Sequence, residues 1–144
     1  MERREFLRVS LGAVIGLPVV ASVLSSCETD VNKVRGQVVE VDISPYPMLN
    51  NVGGMAFVQV DNYSFILRRA SQTTIVAFSA VCPHQGCLIG DQMGELHNHK
   101  IRCMCHGAEF NPQTGAVTQG PATTGLTQYQ TEFDPQSKTV KIYV

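Results

Sequence analysis

Two short segments, Cys82-Pro83-His84-Gln85-Gly86-Cys87 and Cys103-Met104-Cys105-His106-Gly107, constrain this chain more than any other feature. Residues 81–125 hold four of the five cysteines and all four histidines, set among Gly, Pro and Asn. Thiolates are soft ligands that suit zinc or iron-sulfur centres, and imidazole serves either. The spacings Cys-x-His and Cys-x-x-His each supply one thiolate and one imidazole from a single loop. Two such loops can therefore complete a set of four ligands from Cys82, His84, Cys103 and His106, with Cys87 and Cys105 left over.

The scaffold for these loops reads as β structure. Val38, Val41 and Ile43, then Ala56–Val60, Ser64–Leu67 and Thr74–Phe78, are short runs rich in β-branched and aromatic residues. Turn chemistry separates them at Pro45 and Pro47, Gly53-Gly54, Asp61-Asn62 and Ala70–Thr73. Asp61-Asn62 between two such runs predicts a tight hairpin. Further strands are expected near Gly115–Thr118, Leu126–Phe133 and Thr139–Val144. Many short strands and no long run at helical period predict an all-β chain, an antiparallel sandwich or small barrel, with residues 81–125 as a functional insert. No internal repeat or low-complexity segment is evident.

The pair of loops resembles the Rieske iron-sulfur proteins, in the subclass of the cytochrome bc and b/f quinol-oxidising complexes. The resemblance implies one [2Fe-2S] cluster held by Cys82, His84, Cys103 and His106, on a Rieske-type β fold with a cluster-binding loop subdomain. It also implies a Cys87–Cys105 disulfide tying the loops together, a pair that oxygenase-type Rieske ferredoxins usually lack. Gly107–Gly115 is similar to the strand and turn after the second loop, and Gly120-Pro121-Ala122 resembles the proline loop that covers the cluster. The bc-type pattern has a serine at Ala108 and a tyrosine at Phe110, whose hydroxyls hydrogen-bond to cluster sulfurs. Without those donors the reduced, more negative cluster is less stabilised. Rieske centres span roughly −150 to +300 mV, and this departure implies a value below the high end, fitting menaquinol or a non-quinol donor better than ubiquinol.

Plainer readings exist for several residues. Zinc would use the same Cys2His2 set but leaves Cys87 and Cys105 without a role. All four loop cysteines in disulfides would leave both histidines idle. His97 and His99 read as an exposed hairpin tip, Arg68-Arg69 as a solvated strand end, and Met48, Met55 and Met93 as core or loop filler.

The amino terminus is a separate unit. Arg3, Arg4 and Arg8 precede an apolar run from Leu11 to Leu24 and then Ser25-Ser26-Cys27, the layout of a secretory signal. That run reaches only about 21 Å as a helix against a hydrocarbon core of roughly 30 Å, so a cleaved signal is expected over a membrane span. An uncleaved anchor, lengthened by Phe6 to Val9, is the alternative. Glu2–Leu7 resembles a twin-arginine signal, which exports proteins already folded around a cofactor, and Leu24–Cys27 resembles a lipobox with Cys27 as the lipidated residue. The expected division is a signal over 1–26, a polar tether over 27–37 and one Rieske domain over 38–144.

Eleven basic and twelve acidic side chains give a net charge of −1, so nothing argues for a nucleic-acid partner. No nucleophile with its base and no phosphate-binding Gly-rich loop offers a catalytic site of the chain's own. The resemblance implies an electron-transfer subunit of a quinol-cytochrome c reductase-like chain. It would face the outside of a bacterial membrane, with a quinol or redox-enzyme donor and a cytochrome acceptor. His84 and His106 are the candidates for coupling electron to proton. A small Rieske subunit of a periplasmic molybdenum oxidase of the arsenite-oxidase kind, a standalone Rieske ferredoxin and a metal-stabilised structural lipoprotein are the other readings.

Overall fold

The computed structural model describes residues 36–90, 94–97 and 100–144. The expected signal, Cys27 and the tether as far as residue 35 lie outside the described residues, as do Met93 and His99. No helix among the described residues is long and apolar enough to cross a membrane.

The strands are β1 (Val38–Asp42), β2 (Met55–Val60), β3 (Tyr63–Arg69), β4 (Ile75–Ser79), β5 (Gly94–His97), β6 (Lys100–Cys103), β7 (Glu109–Phe110), β8 (Val117–Gln119), β9 (Gln128–Asp134) and β10 (Thr139–Tyr143), with a 3-10 turn at Pro47–Asn50. They form two antiparallel sheets: six strands in the order β1-β10-β9-β4-β3-β2, and four in the order β5-β6-β7-β8. The smaller sheet and both cysteine-histidine loops are inserted between β4 and β9, neighbours in the larger sheet. The β2–β3 connection is the expected two-residue hairpin, with Val60 opposite Tyr63 and Asp61 at φ 51°.

Strand alternation produces two cores. Phe65 and Leu67 of β3 and Ile75 and Ala77 of β4 turn to one face and meet Val39, Val41, Val140 and Ile142 from β1 and β10. These apolar side chains close the larger sheet on itself as a curled sandwich. Ile66 and Phe78, paired across β3 and β4, turn the other way. There they pack with Ile89, Ile101, Cys82, Cys103, Ala108 and Phe110 of the insert. Buried on both faces, β3 and β4 are the rigid floor on which the loops stand. In β1 the inward residues are Val39 and Val41, while Val38 faces solvent.

The same alternation corrects the reading of Arg68-Arg69 as a solvated end. Arg69 shares the parity of Phe65 and Leu67 and is only 8% exposed. Its Nε donates to the Ser71 carbonyl at 2.7 Å, its Nη2 to the Gln72 carbonyl and its Nη1 to the Leu49 carbonyl at 3.5 Å. The guanidinium also lies 4.6 Å from the Phe133 ring centroid. A buried cation is tolerated only when its donors are taken, and removing it would orphan the carbonyls it serves. Arg69→Ala is expected to lower unfolding stability by about 3 kcal/mol in urea denaturation, without change in cluster content. A loss under about 1 kcal/mol would count against this clamp.

Candidate metal centre

The two loops are one backbone turn used twice. In the first, the Cys82 N–H donates to the Cys87 carbonyl at 2.8 Å and the Gly86 N–H to the Cys82 carbonyl at 2.9 Å. In the second, the Cys103 N–H donates to the Ala108 carbonyl at 2.8 Å and the Gly107 N–H to the Cys103 carbonyl at 2.9 Å. Gly86 and Gly107 take φ of 80° and 81°, left-handed values that a side chain would strain, so each turn requires its glycine. Matched by this bonding, Cys82 corresponds to Cys103, His84 to Cys105, Gln85 to His106 and Cys87 to Ala108. A six-residue repeat with differing side chains is too short and too altered to register as an internal repeat in the sequence.

The matched frames present two thiols and two imidazoles. Cys82 and Cys103, at the head of each turn, are free and buried, at 2% and 1% exposure. Burial pushes the Cys82 thiol above its usual range; the His84 backbone N–H opposes this, and the neighbouring Cys103 thiol pushes it further the same way. The His84 and His106 rings meet edge to face with centroids 4.7 Å apart. His84 is half-buried and His106 exposed. His84 Nδ1 is buried without a hydrogen-bond partner among the described residues. An unpaired buried ring nitrogen carries a desolvation cost that a bound metal would relieve.

Cys87 and Cys105 form a disulfide, with Cα atoms 6.6 Å apart. The sulfurs of Cys87, Cys103 and Cys105 lie within 4.8 Å of one another, but two of them are bonded together and cannot serve as thiolates. Two free thiols and two imidazoles remain, a donor set that fits a cluster with one thiolate-held and one imidazole-held iron. Metal binding would release the proton that burial favours on the Cys82 thiol.

The surroundings are apolar on the core side. Ala108 and Phe110 are fully buried and have no side-chain donor. Ala122, following a cis Gly120–Pro121 bond, packs into the same core as Cys82 and Cys103. Gln119 Nε2 donates to the Gly107 carbonyl at 3.1 Å, tying β8 to the second turn. His97 ends β5 opposite Lys100, in the hairpin expected there. Sequence reasoning missed the backbone N–H groups of His84 and Gln85, which favour the Cys82 thiolate against the effect of burial. No side-chain pattern encodes them; only the recurring Gly at the fifth position of each turn hints at the geometry.

Comparison with known proteins agrees with this geometry. The family description "Rieske [2Fe-2S] domain" matches residues 37–130. The cytochrome b6-f complex iron-sulfur subunit of Chlorobaculum tepidum is 28% identical over 145 residues, covering 98% of this chain and 76% of that protein. The subunit of the same name from Chlorobaculum thiosulfatiphilum is 31% identical over 148 residues, covering 94% of this chain and 73% of that protein. Among solved structures, the soluble domain of the Rieske protein II from Sulfolobus acidocaldarius has the same fold at a TM-score of 0.57. It is 18% identical and the match covers 75% of this chain and 77% of that one. Because the family match runs from the edge of β1 into β9 and takes in both turns, this chain belongs to the Rieske [2Fe-2S] domain family, electron-transfer proteins that carry one such cluster.

Proposed function

We propose that Cys82, His84, Cys103 and His106 hold the [2Fe-2S] cluster and that the chain is the iron-sulfur component of a quinol-oxidising chain. In this reading it is anchored to the outer face of a bacterial membrane through its amino-terminal segment and passes electrons to a cytochrome. The carrying observation is the sorting of the sulfurs: Cys87 and Cys105 are consumed by a disulfide, leaving two buried thiols beside two adjoining imidazoles. The names of the Chlorobaculum relatives support the complex to which such a subunit belongs.

The bound cluster supplies a one-electron couple. His84, with Nδ1 turned inward, keeps Nε2 as its remaining ring nitrogen, and the exposed His106 presents its ring to solvent or to a docked quinol. Either imidazole would accept a hydrogen bond from a quinol hydroxyl and take up its proton. Added negative charge on reduction would favour proton uptake beside the cluster, so electron and proton would arrive together. The potential is therefore expected to fall as pH rises, by up to about 59 mV per pH unit for one proton per electron.

A redox titration of the cluster-loaded protein across pH tests this reading. The expected result is a Rieske electron paramagnetic resonance signal and a potential below the high end of the family span, falling at alkaline pH. Ala108→Ser and Phe110→Tyr should each raise it, since about 1.4 kcal/mol of added preference for the reduced state is worth about 59 mV. A colourless protein containing zinc would sink the proposal.

A further inference from the structure

The smaller sheet carries a polar row toward the second turn. By register, Glu95 of β5 stands opposite Arg102 of β6, Arg102 opposite Glu109 of β7, and Glu109 opposite Gln119 of β8. Lys100, two residues before Arg102 on the same face of β6, bonds Glu109 Oε1 at 2.9 Å. Arg102 Nε lies 3.7 Å from that oxygen. This is an ion pair too long to be a hydrogen bond, and Arg102 Nε is buried without a hydrogen-bond partner among the described residues.

The guanidinium is aimed elsewhere. A Cβ placed on Gly107 would sit 3.9 Å from Arg102 Nη2, so the cation rests against the residue that follows His106. Arg102 also directly precedes Cys103. Glu109, whose side chain is only 18% exposed, is held beside the guanidinium by Lys100. A cation fixed beside the turn, partly offset by a fixed anion, acts on any charge that changes within the turn.

We propose that Arg102 and Glu109 are positioning residues that set the reduction potential in opposite senses, Arg102 raising it and Glu109 lowering it. The inference rests on the ligand assignment above. Reduction adds one negative charge beyond Cys103 and His106, which a nearby cation favours and a nearby carboxylate opposes. Both side chains are part-shielded from solvent, so salt weakens the effect without abolishing it.

The test is a potential measurement on the cluster-loaded full chain, with visible circular dichroism of each variant to establish that the cluster is present. Arg102→Gln should lower the potential and Glu109→Gln should raise it, each changing the ratio of reduced to oxidised protein about threefold to tenfold at fixed electrode potential. Arg102→Lys keeps the charge and should restore most of the parent value. A merely structural role would move both neutral variants the same way or leave the potential unmoved, and either result overturns the inference while the ligand assignment stands. If Arg102→Gln loads poorly, the sign of the Glu109→Gln shift decides alone. Loss of the Rieske spectrum from the parent chain would instead fail the ligand assignment.

Discussion

His106→Ala is expected to abolish cluster binding, while Gln85→Ala, at the matching position of the other turn, leaves it intact. The two residues occupy equivalent places in equivalent hydrogen-bonded frames, so substituting them perturbs the backbone alike and differs only in the ligand removed. Cys82→Ser and Cys103→Ser should behave as His106→Ala does. A serine nearly fills the same buried space, so loss of iron there reports the thiolate and not a collapsed core. Iron and acid-labile sulfide per chain should fall at least about tenfold in the three ligand variants, because removing a direct ligand exceeds the 10- to 100-fold cost of losing an outer-shell partner.

The fold should survive these losses. The core of the larger sheet, with Phe65, Leu67, Ile75, Val140 and Ile142, draws nothing from the two turns, so far-ultraviolet circular dichroism should keep its β signature. Quantifying iron and recording that spectrum on the same samples separates loss of a ligand from loss of the domain. Full iron content in Cys82→Ser or His106→Ala would refute the assignment of that residue.

Much of this was legible from residue types. β2, β3 and β4 announce themselves because β-branched and aromatic runs alternate with turn residues, and Asp61-Asn62 marks its own hairpin. The ligand candidates were legible because thiols and imidazoles at short spacing have few other uses, and the resemblance extended that to the Cys87–Cys105 pair. β5, β6 and β7 were harder: Lys100, Arg102 and Glu109 make a polar face of β6 and β7, so only Leu96, Ile101 and Phe110 carry an apolar signal in strands of two to four residues. Arg69 misled because a charge at a strand end is ordinarily solvated; its burial depends on carbonyls from Leu49 and Ser71, which only the tertiary fold brings within reach. The equivalence of the two turns was hidden for a related reason. It resides in backbone bonds and paired glycines, while the side chains that define function were shuffled within the repeat.

That shuffling makes the disulfide the second place where a large effect is expected. Each turn closes on itself through its own backbone hydrogen bonds, and the covalent tie between the two is Cys87–Cys105, spanning 18 residues. A link of that loop length contributes about 3 kcal/mol by restricting the opened chain, more than a hundredfold in the equilibrium for separating the turns. Each turn supplies one thiolate and one imidazole under the proposed assignment, so separating them would strip the cluster of half its ligands. The double variant Cys87→Ala/Cys105→Ala should therefore lose its cluster at least about tenfold faster than the parent, followed as bleaching of the visible spectrum under an iron chelator. Alanine is already tolerated at the position matching Cys87, since Ala108 occupies it in the second turn and its carbonyl closes that turn at 2.8 Å. The variant also avoids thiol reductants, which would reduce the cluster along with the disulfide. Bleaching at the parent rate would mean that core packing of Cys82, Cys103, Ala108 and Ala122 holds the turns together without the bond, and the disulfide would have no part in retaining the cluster.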